Sequence, residues 1–588
     1  MIASSTRRKG IPPAEPLRPR HGRASAHPLL WSFFFSVAGS VCLLAAGCAG
    51  RPAPAPAAPS PATSGAGGGA AAGFTILQIN DTYKIEGLEA GRVGGMARVR
   101  ALRRELEAEG RPVLVLHGGD IFFPSVMSKY LKGEGMVDAL NALDGSEGFD
   151  ARFVATFGNH EFDDRDPAVL FARLAQSEFS WVSSNVRYRA TAGEPFAPLS
   201  TRFDNVRETM VLDLGGLRVG LLGLTLDDQS RDWLDYGYGI ESRDRIVRAA
   251  IDRLRAGGAQ VLIAVTHQEI GQDERLARGF PELDWIVGGH EHVYLARQVG
   301  ATGITKADAD AKSAIRIDVR PGAGRPRLAA RKIDLVGQEV APDPEMQGRV
   351  ARWLVRLAQA VKSQTGRDLL EVVATSEQAL EGVEPTIRGR ESALGDFLAD
   401  VLRERLATDL AFVNGGAIRV NDDVPAGGNV RVYEMEGIFY YDNRPVATEL
   451  SGAELLELLR KSVSEAALGH GRFLQVSGIR FRYHARPAGY GETTRVEAAE
   501  VEVHPRGAAD FVPLELDRTY SVATLDYLWK NGYRDGYPLF SQGAGGTSPP
   551  LLPRPELSWR GITEEAIAVL PGRRITNRIE GRIERVVD

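Results

Sequence analysis

Five apolar runs along the chain stop abruptly on polar residues. Phe74-Thr75-Ile76-Leu77-Gln78-Ile79 runs into Asn80-Asp81-Thr82-Tyr83, and Val113-Leu114-Val115-Leu116 into His117-Gly118-Gly119-Asp120. Phe153-Val154-Ala155-Thr156 leads to Phe157-Gly158-Asn159-His160-Glu161-Phe162-Asp163. Val261 to Val265 ends in Thr266-His267, and Trp285-Ile286-Val287 in Gly288-Gly289-His290-Glu291-His292. Short apolar runs bounded by glycine and turn residues predict strands. Between them, stretches such as Gly94 to Ala108 and Asp244 to Ala256 read as helices. Alternating strand and helix predicts an α/β sandwich with layered sheets.

The strand ends carry the candidate chemistry. They deliver Asp, Asp, Asn-His, His and His-x-His, each beside glycine or a small residue. Active sites of α/β folds gather at such ends. One histidine at a strand end is more often structural than a ligand, but five coordinated deliveries read as a metal centre. Oxygen and imidazole ligands suit Zn, Mn or Fe. A shared aspartate can bridge two metals about 3.5–4 Å apart, a pair that activates water and clamps an in-line phosphoryl displacement.

Composition narrows the picture. The chain has 588 residues and a formal net charge of −5. It shows no basic stripe interleaved with aromatics, so nucleic acid is not an expected partner. Arg7, Arg8, Lys9, Arg18, Arg20 and Arg23 precede a mostly apolar run, Leu29 to Leu44. This order predicts a secretory signal over 1–48. Leu44-Ala45-Ala46-Gly47-Cys48 resembles a lipoprotein cleavage box, with Cys48 lipidated. The alternative is an uncleaved anchor, for which the apolar run is short. Of the two cysteines, Cys42 lies in the signal, so the exported body is expected to hold no disulfide. Residues 49–73 are Pro, Ala and Gly-rich and predict a tether. The expected location is the bacterial envelope, anchored on the periplasmic side of the outer membrane.

The second half has its own pattern. Val350, Trp353, Leu354, Leu357 and Val361 recur at helical spacing, predicting a connecting helix within 339–365 or a first helix of the next domain. Over 366–588 helices and strands mix. Arg388 and Arg390 precede a helix with Ser392 as N-cap. The strand Leu410-Ala411-Phe412-Val413 leads to Asn414-Gly415-Gly416-Ala417-Ile418-Arg419, where glycines let backbone amides approach a ligand and Arg419 can grip an anion. Two aromatic clusters follow, Phe439-Tyr440-Tyr441-Asp442-Asn443 and Tyr527-Leu528-Trp529-Lys530-Asn531-Gly532-Tyr533-Arg534-Asp535. Flat faces suit nucleobase stacking, Asp535 could accept from ribose hydroxyls, and plain core is the competing reading. Residues 541–588 contain Pro-rich loops and a predicted helix near Thr563 to Leu570, with no function assigned.

Asp81, Gly119-Asp120, Gly158-Asn159-His160-Glu161, His267 and Gly289-His290-Glu291-His292 together resemble the signature of calcineurin-like dinuclear metallophosphatases. Phe162-Asp163 and the second half resemble the secreted 5′-nucleotidases and periplasmic UDP-sugar hydrolases, and the likeness covers nearly all of 74–540. It implies a four-layer α/β sandwich over 74–338 and an α+β substrate-binding domain over 366–588. It also implies roles. Asp120 would bridge two divalent metals, with Asn159, His267 and His290 on one and Asp81 and His292 on the other. His160, oriented by Asp163, would stabilise developing charge or protonate the leaving oxygen. Arg388, Asn414, Gly416, Arg419, Tyr441, Tyr527 and Asp535 would hold the substrate. The expected activity is an exported 5′-nucleotidase-type phosphoesterase acting as a monomer, on nucleoside monophosphates, UDP-sugars or cyclic nucleotides. Alternatives are a thiosulfohydrolase-like metallohydrolase and a non-catalytic nucleotide-binding lipoprotein.

The chain departs from the family at three places. Tyr83 stands where the family's Asp-x-His motif has histidine. It could be a phenolate ligand, pack beside a site that water completes, or mark the loss of one metal. Tyr441 replaces a phenylalanine without the preceding proline, and the Tyr533-Arg534 loop is one residue longer.

Overall fold

The computed structural model describes residues 73–588 apart from 228–230, 238–239, 338 and 490. The expected signal, Cys48 and all but the last residue of the tether lie outside the described residues. Among the described residues no helix is long and apolar enough to cross a membrane.

The first half is built on two sheets. In one, Phe74–Ile79, Val113–His117, Asp150–Ala155 and Phe179–Val182 run parallel, flanked on one side by Ser313–Arg320 and Arg327–Asp334. In the other, Leu217–Thr225, Val261–His267, Trp285–Gly289 and Thr302–Lys306 run parallel, edged by Thr209–Leu214 and Leu295–Val299. Both faces of the central strands are covered, which is why they read as continuous apolar runs. Phe74, Ile76, Leu114 and Leu116 pack against Val219, Leu221, Ile263 and Val265 between the sheets. Leu77, Ile79, Val113 and Val115 face the other way, toward Met96, Val99 and Leu102 of the helix Met96–Ala108. Leu222, Leu224 and Leu262 pack on Val247, Ile251 and Leu254 of the helix Ile240–Ala256. The layers are therefore helix, sheet, sheet, helix, as expected.

Pro344–Thr365 is one helix, started by Asp343, whose carboxylate accepts from Met346 N at 2.9 Å, and ended at Gly366 with φ 76°. Its buried face, Met346, Val350, Trp353, Leu357 and Val361, joins the core of the first half. Trp353 Nε1 donates to Asp138 at 2.6 Å. The helix is thus packed against the first half along its length.

The second half is α+β. Pro445–Ser451, Thr519–Leu525, Leu410–Asn414 and Leu474–Ser477 form a mixed sheet. Ala411 and Val413 face Phe397 and Leu402 of the helix Ala393–Leu406, while Leu410 and Phe412 face Leu455 and Leu459 of the helix Gly452–Val463. Ser392 accepts from Gly395 N at 3.0 Å, as its N-cap position predicts. The C-terminal segment is structural. The helix Trp559–Val569 lays Trp559 edge-on to Phe439 with centroids 4.8 Å apart, and Ile583–Val587 pairs with Ile479–Ala488.

The halves share one apolar core and are also joined by polar bonds. Lys84 Nζ donates to Val420 O at 3.0 Å, and Lys129 Nζ pairs with Glu436 at 3.1 Å. Asn421 donates to Asp310, and the Tyr433 hydroxyl to Glu86.

Candidate active site

The parallel strands of both sheets end on one side, and the turns that follow bring the candidate ligands together. Asp81, Asp120, His290 and His292 all adopt positive φ, at 53°, 60°, 94° and 60°. Such conformations cost of order 1–3 kcal/mol each and persist where the surroundings enforce them. Here the enforcing contacts are visible. Glu161 gathers the backbone N–H groups of Asp120 at 2.9 Å, Ile121 at 2.5 Å and Phe122 at 3.1 Å, and also that of Gly158. Gly158 is needed for closeness: a Cβ there would lie 2.0 Å from Asp120 Oδ1. Buried Lys306 bonds Glu291 and pairs with Asp273 at 2.9 Å, fixing the His290-Glu291-His292 turn.

Ring tautomers follow from the acceptors. His267 Nδ1 donates to Gly118 O at 2.8 Å, so its Nε2 lone pair faces Asn159 Oδ1 at 3.0 Å and Asp120 Oδ2 at 3.3 Å. His292 Nδ1 faces Glu384 Oε2, and its Nε2 faces Asp81 Oδ1 at 3.2 Å. Glu384 belongs to the second half, so that half orients a histidine of the first. His117 is structural. Its Nδ1 accepts from Gly119 N at 3.1 Å and its Nε2 donates to Thr82 Oγ1 at 2.8 Å.

These residues fit metal ions. Asp81, Asp120 and His267 are buried and bring ligand atoms within 4.8 Å of one another. Carboxylate oxygens, an amide oxygen and imidazole nitrogens converge here. Against burial, which would lower them, carboxylates pull the imidazoles upward: Glu269 holds His290 at about 9, and Glu384 and Asp81 hold His292 at about 9. Against burial, which would raise it, His292 and His267 hold Asp81 well below the carboxylate range. Burial and then Asp120 push Glu161 up to about 7. A place that draws protons onto its imidazoles is one that a cation would satisfy.

Tyr83 sits in this cluster. Its hydroxyl lies 2.8 Å from Asp120 Oδ2, 2.9 Å from His292 Nε2 and 3.2 Å from Asp81 Oδ1. Asp310 fixes its backbone, accepting from Tyr83 N and Lys84 N at 3.0 Å each.

A cleft of about 670 Å³ opens from this centre toward the second half, within the usual range for a ligand site. His160 lines it. Its Nδ1 bonds Asp163 at 2.9 Å, leaving Nε2 for the cleft, and Asp163 then Asp120 raise its pKa against burial. From the second half come Arg388, Asn414, Gly416, Arg419, Tyr441, Tyr527 and Asp535. The Arg419 guanidinium stands 5.6 Å from the Tyr441 ring. Arg388 Nε, Arg419 Nε and Asn414 Oδ1 are buried without hydrogen-bond partners. All the expected site residues except buried Asp81 and His267 line this one cleft.

The structure corrects two details. The Gly415 and Gly416 amides are not offered to a ligand: they donate to Phe473 O at 2.7 Å and Gly471 O at 2.9 Å, and Gly416 lets the Gly471 backbone pass. Of the aromatic rings in the second cluster, Tyr527 lines the cleft, at 37 % exposure, whereas Trp529 Nε1 is tied to Pro549 O at 2.8 Å. Sequence reasoning also passed over Glu384, Glu269, Lys129, His470 and Arg534. Glu384 precedes Arg388 by one helical turn, a spacing that signals their ion pair.

Comparison with known proteins agrees with this geometry. A family model described as calcineurin-like phosphoesterase matches residues 74–294, and one described as 5′-nucleotidase, C-terminal domain, matches 372–542. The chain is 25 % identical over 509 residues to the snake venom 5′-nucleotidase of Naja atra, covering 79 % of this chain and 90 % of that one. It is 25 % identical over 556 residues to the trifunctional nucleotide phosphoesterase protein YfkN of Bacillus subtilis, covering 87 % of this chain but only 35 % of that longer protein. Among solved structures, the 5′-nucleotidase precursor of Thermus thermophilus superposes with a TM-score of 0.67 at 25 % identity, covering 87 % of this chain and 99 % of that one. The sulfate thiohydrolase SoxB of the same organism shares the fold, with a TM-score of 0.60 at 18 % identity over 88 % of this chain and 97 % of that one.

Proposed function

We propose, for a chain that belongs to the calcineurin-like metallophosphoesterases bearing a 5′-nucleotidase C-terminal domain, that it hydrolyses nucleoside 5′-monophosphates to nucleoside and phosphate. The chain is a phosphoric ester hydrolase by family. The finer assignment rests on one observation: four of the strand-end ligands (Asp120, Asn159, His290 and His292), His160 and the aromatic–arginine wall share a single cleft. Metal ions held by Asp81, Asp120, Asn159, His267, His290 and His292 would supply Lewis acidity to water and to the phosphoryl oxygens. The chain's own groups do the rest. His160, held by Asp163, faces the reacting centre and can stabilise developing charge or pass a proton to the leaving oxygen. Arg388 and Arg419, both beside Glu384, keep unpartnered Nε–H groups for an anion. Tyr441 and Tyr527 offer faces for a base, and Asp535 an acceptor for ribose. UDP-sugars and cyclic nucleotides are variants the same wall could take.

Export and a lipid anchor at Cys48 are part of the proposal. They are supported by the basic, apolar, small-residue order of 1–48 and by relatives found in venom. Blocking lipid attachment with Cys48→Ser should move the protein out of the membrane fraction. If the variant stays there, the anchor is an uncleaved segment.

The deciding assay is phosphate release from AMP and from an aryl phosphate, before and after chelation and after adding metal back. Loss and recovery on both substrates supports the proposal. Tight nucleotide binding without release in any metal would instead identify a nucleotide-binding protein, the reading that Tyr83 keeps in play.

A further inference from the structure

Tyr440 and Tyr441, which line the cleft, follow directly on the helix Val432–Ile438 and its capping residue Phe439. A helix of 7 residues has little stability of its own, so its place is set by what packs against it. Two distant segments do so. One is the helix Val126–Leu131 of the first half, which carries Lys129. The other is the helix Trp559–Val569, which lies beyond 372–542, the stretch that the family model matches. We infer that Glu436, held between Lys129 and Arg560, positions Tyr441 for the base, so that the C-terminal helix sets nucleotide affinity without lining the cleft.

The contacts form a chain. The Glu436 side chain is fully buried, and each of its oxygens meets a cation: Oε1 accepts from Arg560 Nη1 at 2.5 Å, and Oε2 lies 3.1 Å from Lys129 Nζ. Against burial, which would raise it, Lys129 and Arg560 hold this carboxyl below its ordinary value. A buried carboxylate clamped on both sides cannot shift without unpairing a charge, which is costly. Lys129 also donates to Phe439 O at 3.1 Å, one of the carbonyls that a helix end leaves without an internal partner. On the far side, Trp559 meets the Phe439 ring edge-on, with centroids 4.8 Å apart. Phe439 is thus gripped by its backbone from the first half and by its ring from the C-terminal helix. Lys129 stands 6.0 Å from the next ring, Tyr440, which meets Tyr441 edge-on at 4.9 Å. A displacement at Glu436 is therefore passed to the stacking face.

Arg560 is the member through which the clamp can be loosened. Its guanidinium is aimed by a second bond, Nε to Glu564 at 3.0 Å, and Glu564 is itself held by Arg367 at 3.1 Å. Removing Arg560 leaves Glu436 paired with Lys129, so the buried charge stays compensated while the helix loses its tie on one side. Removing Glu436 instead would leave two cations facing each other. The inference rests on the reading of Tyr441 as a base-stacking face.

The test uses the full chain, with KM for AMP compared against KM for an aryl phosphate. Arg560→Met should raise that ratio about 3- to 10-fold, a part of what losing the stacking face itself would do. Arg560→Lys, which keeps a cation, should restore most of it. In a Tyr441→Ala background Arg560→Met should add nothing, because both changes act through one ring. A second readout needs no nucleotide: a fluorinated tyrosine placed at 441 should shift or broaden its fluorine resonance in Arg560→Met, while the same label at 527 reports that the fold is intact. Losses that add fully in the double variant, an equal effect on both substrates, or a Tyr441 resonance that stays in place would overturn the inference. A wild type that releases no phosphate from AMP counts against the nucleotide reading, and the fluorine resonance then decides by itself whether Arg560 positions Tyr441.

Discussion

The two walls of the cleft are built differently. On the strand-end wall every candidate ligand is tied down: Glu161 gathers four backbone N–H groups, Lys306 anchors the histidine turn, and four ligand residues sit at positive φ. On the facing wall the arginines keep unpartnered Nε atoms, and Tyr441 and Tyr527 are only partly covered. The first wall holds a fixed constellation, which catalysis by positioned charge requires. The second offers faces and charges that a ligand completes. Mutations on the two walls should therefore fail in different ways.

The largest effects belong to the first wall. Asp120→Asn, or exhaustive chelation of the wild type, should cut phosphate release by about 10³-fold or more. The measurement is turnover of AMP and of an aryl phosphate side by side, and activity that survives chelation would remove the metal from the mechanism. His160→Ala should lower kcat by about 10²- to 10³-fold on both substrates alike, because it acts on developing charge rather than on the base. A loss confined to AMP would move His160 to the recognition wall. Glu161→Gln should weaken metal affinity about 10- to 100-fold while leaving kcat at saturating metal nearly intact, since Glu161 shapes the loop without lining the cleft. Metal titration followed by kinetics separates these two quantities.

Acid and base should also tell the halves apart. His117 is buried and neutral, its pKa pushed down to about 3 by burial. Its contribution is present above its unfolded value near 6.5 and is lost as pH falls through 3. Asp396 in the second half is pushed up to about 9 by burial, with Glu391 adding to it and Arg582 opposing it. Its contribution is present below its unfolded value near 3.8 and is lost as pH rises through 9. Hydrogen exchange should therefore loosen Val113–His117 first on acidification and Ala393–Leu406 first on alkalinisation. The reverse order would mean other groups dominate. Asp396→Asn, which mimics the protonated acid, should flatten the alkaline limb.

The strand-end wall was largely legible in the sequence because parallel strands buried on both faces write themselves as apolar runs, and the ligands follow directly at their ends. Leu217–Thr225, equally buried, was not singled out: Gly220 and Gly223 interrupt its run, and no ligand marks its end. The facing wall was legible only in part. Glu384 lies 92 residues from the histidine it orients, and no local pattern carries a contact across that separation. The Gly415-Gly416 pair announces close approach but not of what, and the approaching group is the Gly471 backbone. Tyr83 shows the limit most clearly. Its identity marked a departure, but two of the three groups its hydroxyl meets, Asp120 and His292, come from other segments.

The smallest expected effect tests the facing wall residue by residue. Tyr527 and Trp529 share the short helix Asp526–Asn531, two positions apart, so they point to different sides. Tyr527 lines the cleft, as does Tyr441, while Trp529 packs toward the Leu528 core and is fixed to Pro549. Losing one base-stacking face removes roughly 1–3 kcal/mol from ground state and transition state alike. Tyr441→Ala and Tyr527→Ala should therefore raise KM for AMP about 10-fold, with kcat nearly unchanged and aryl phosphate turnover unaffected. Trp529→Ala should leave KM alone and lower the thermal midpoint instead, because it removes packing and a partly buried hydrogen bond. If Trp529→Ala raises KM and Tyr527→Ala does not, the second stacking face lies on the other side of this helix. If Tyr441→Ala harms both substrates equally, that ring supports Arg419 and the fold rather than a base, and the nucleotide assignment loses its main local support.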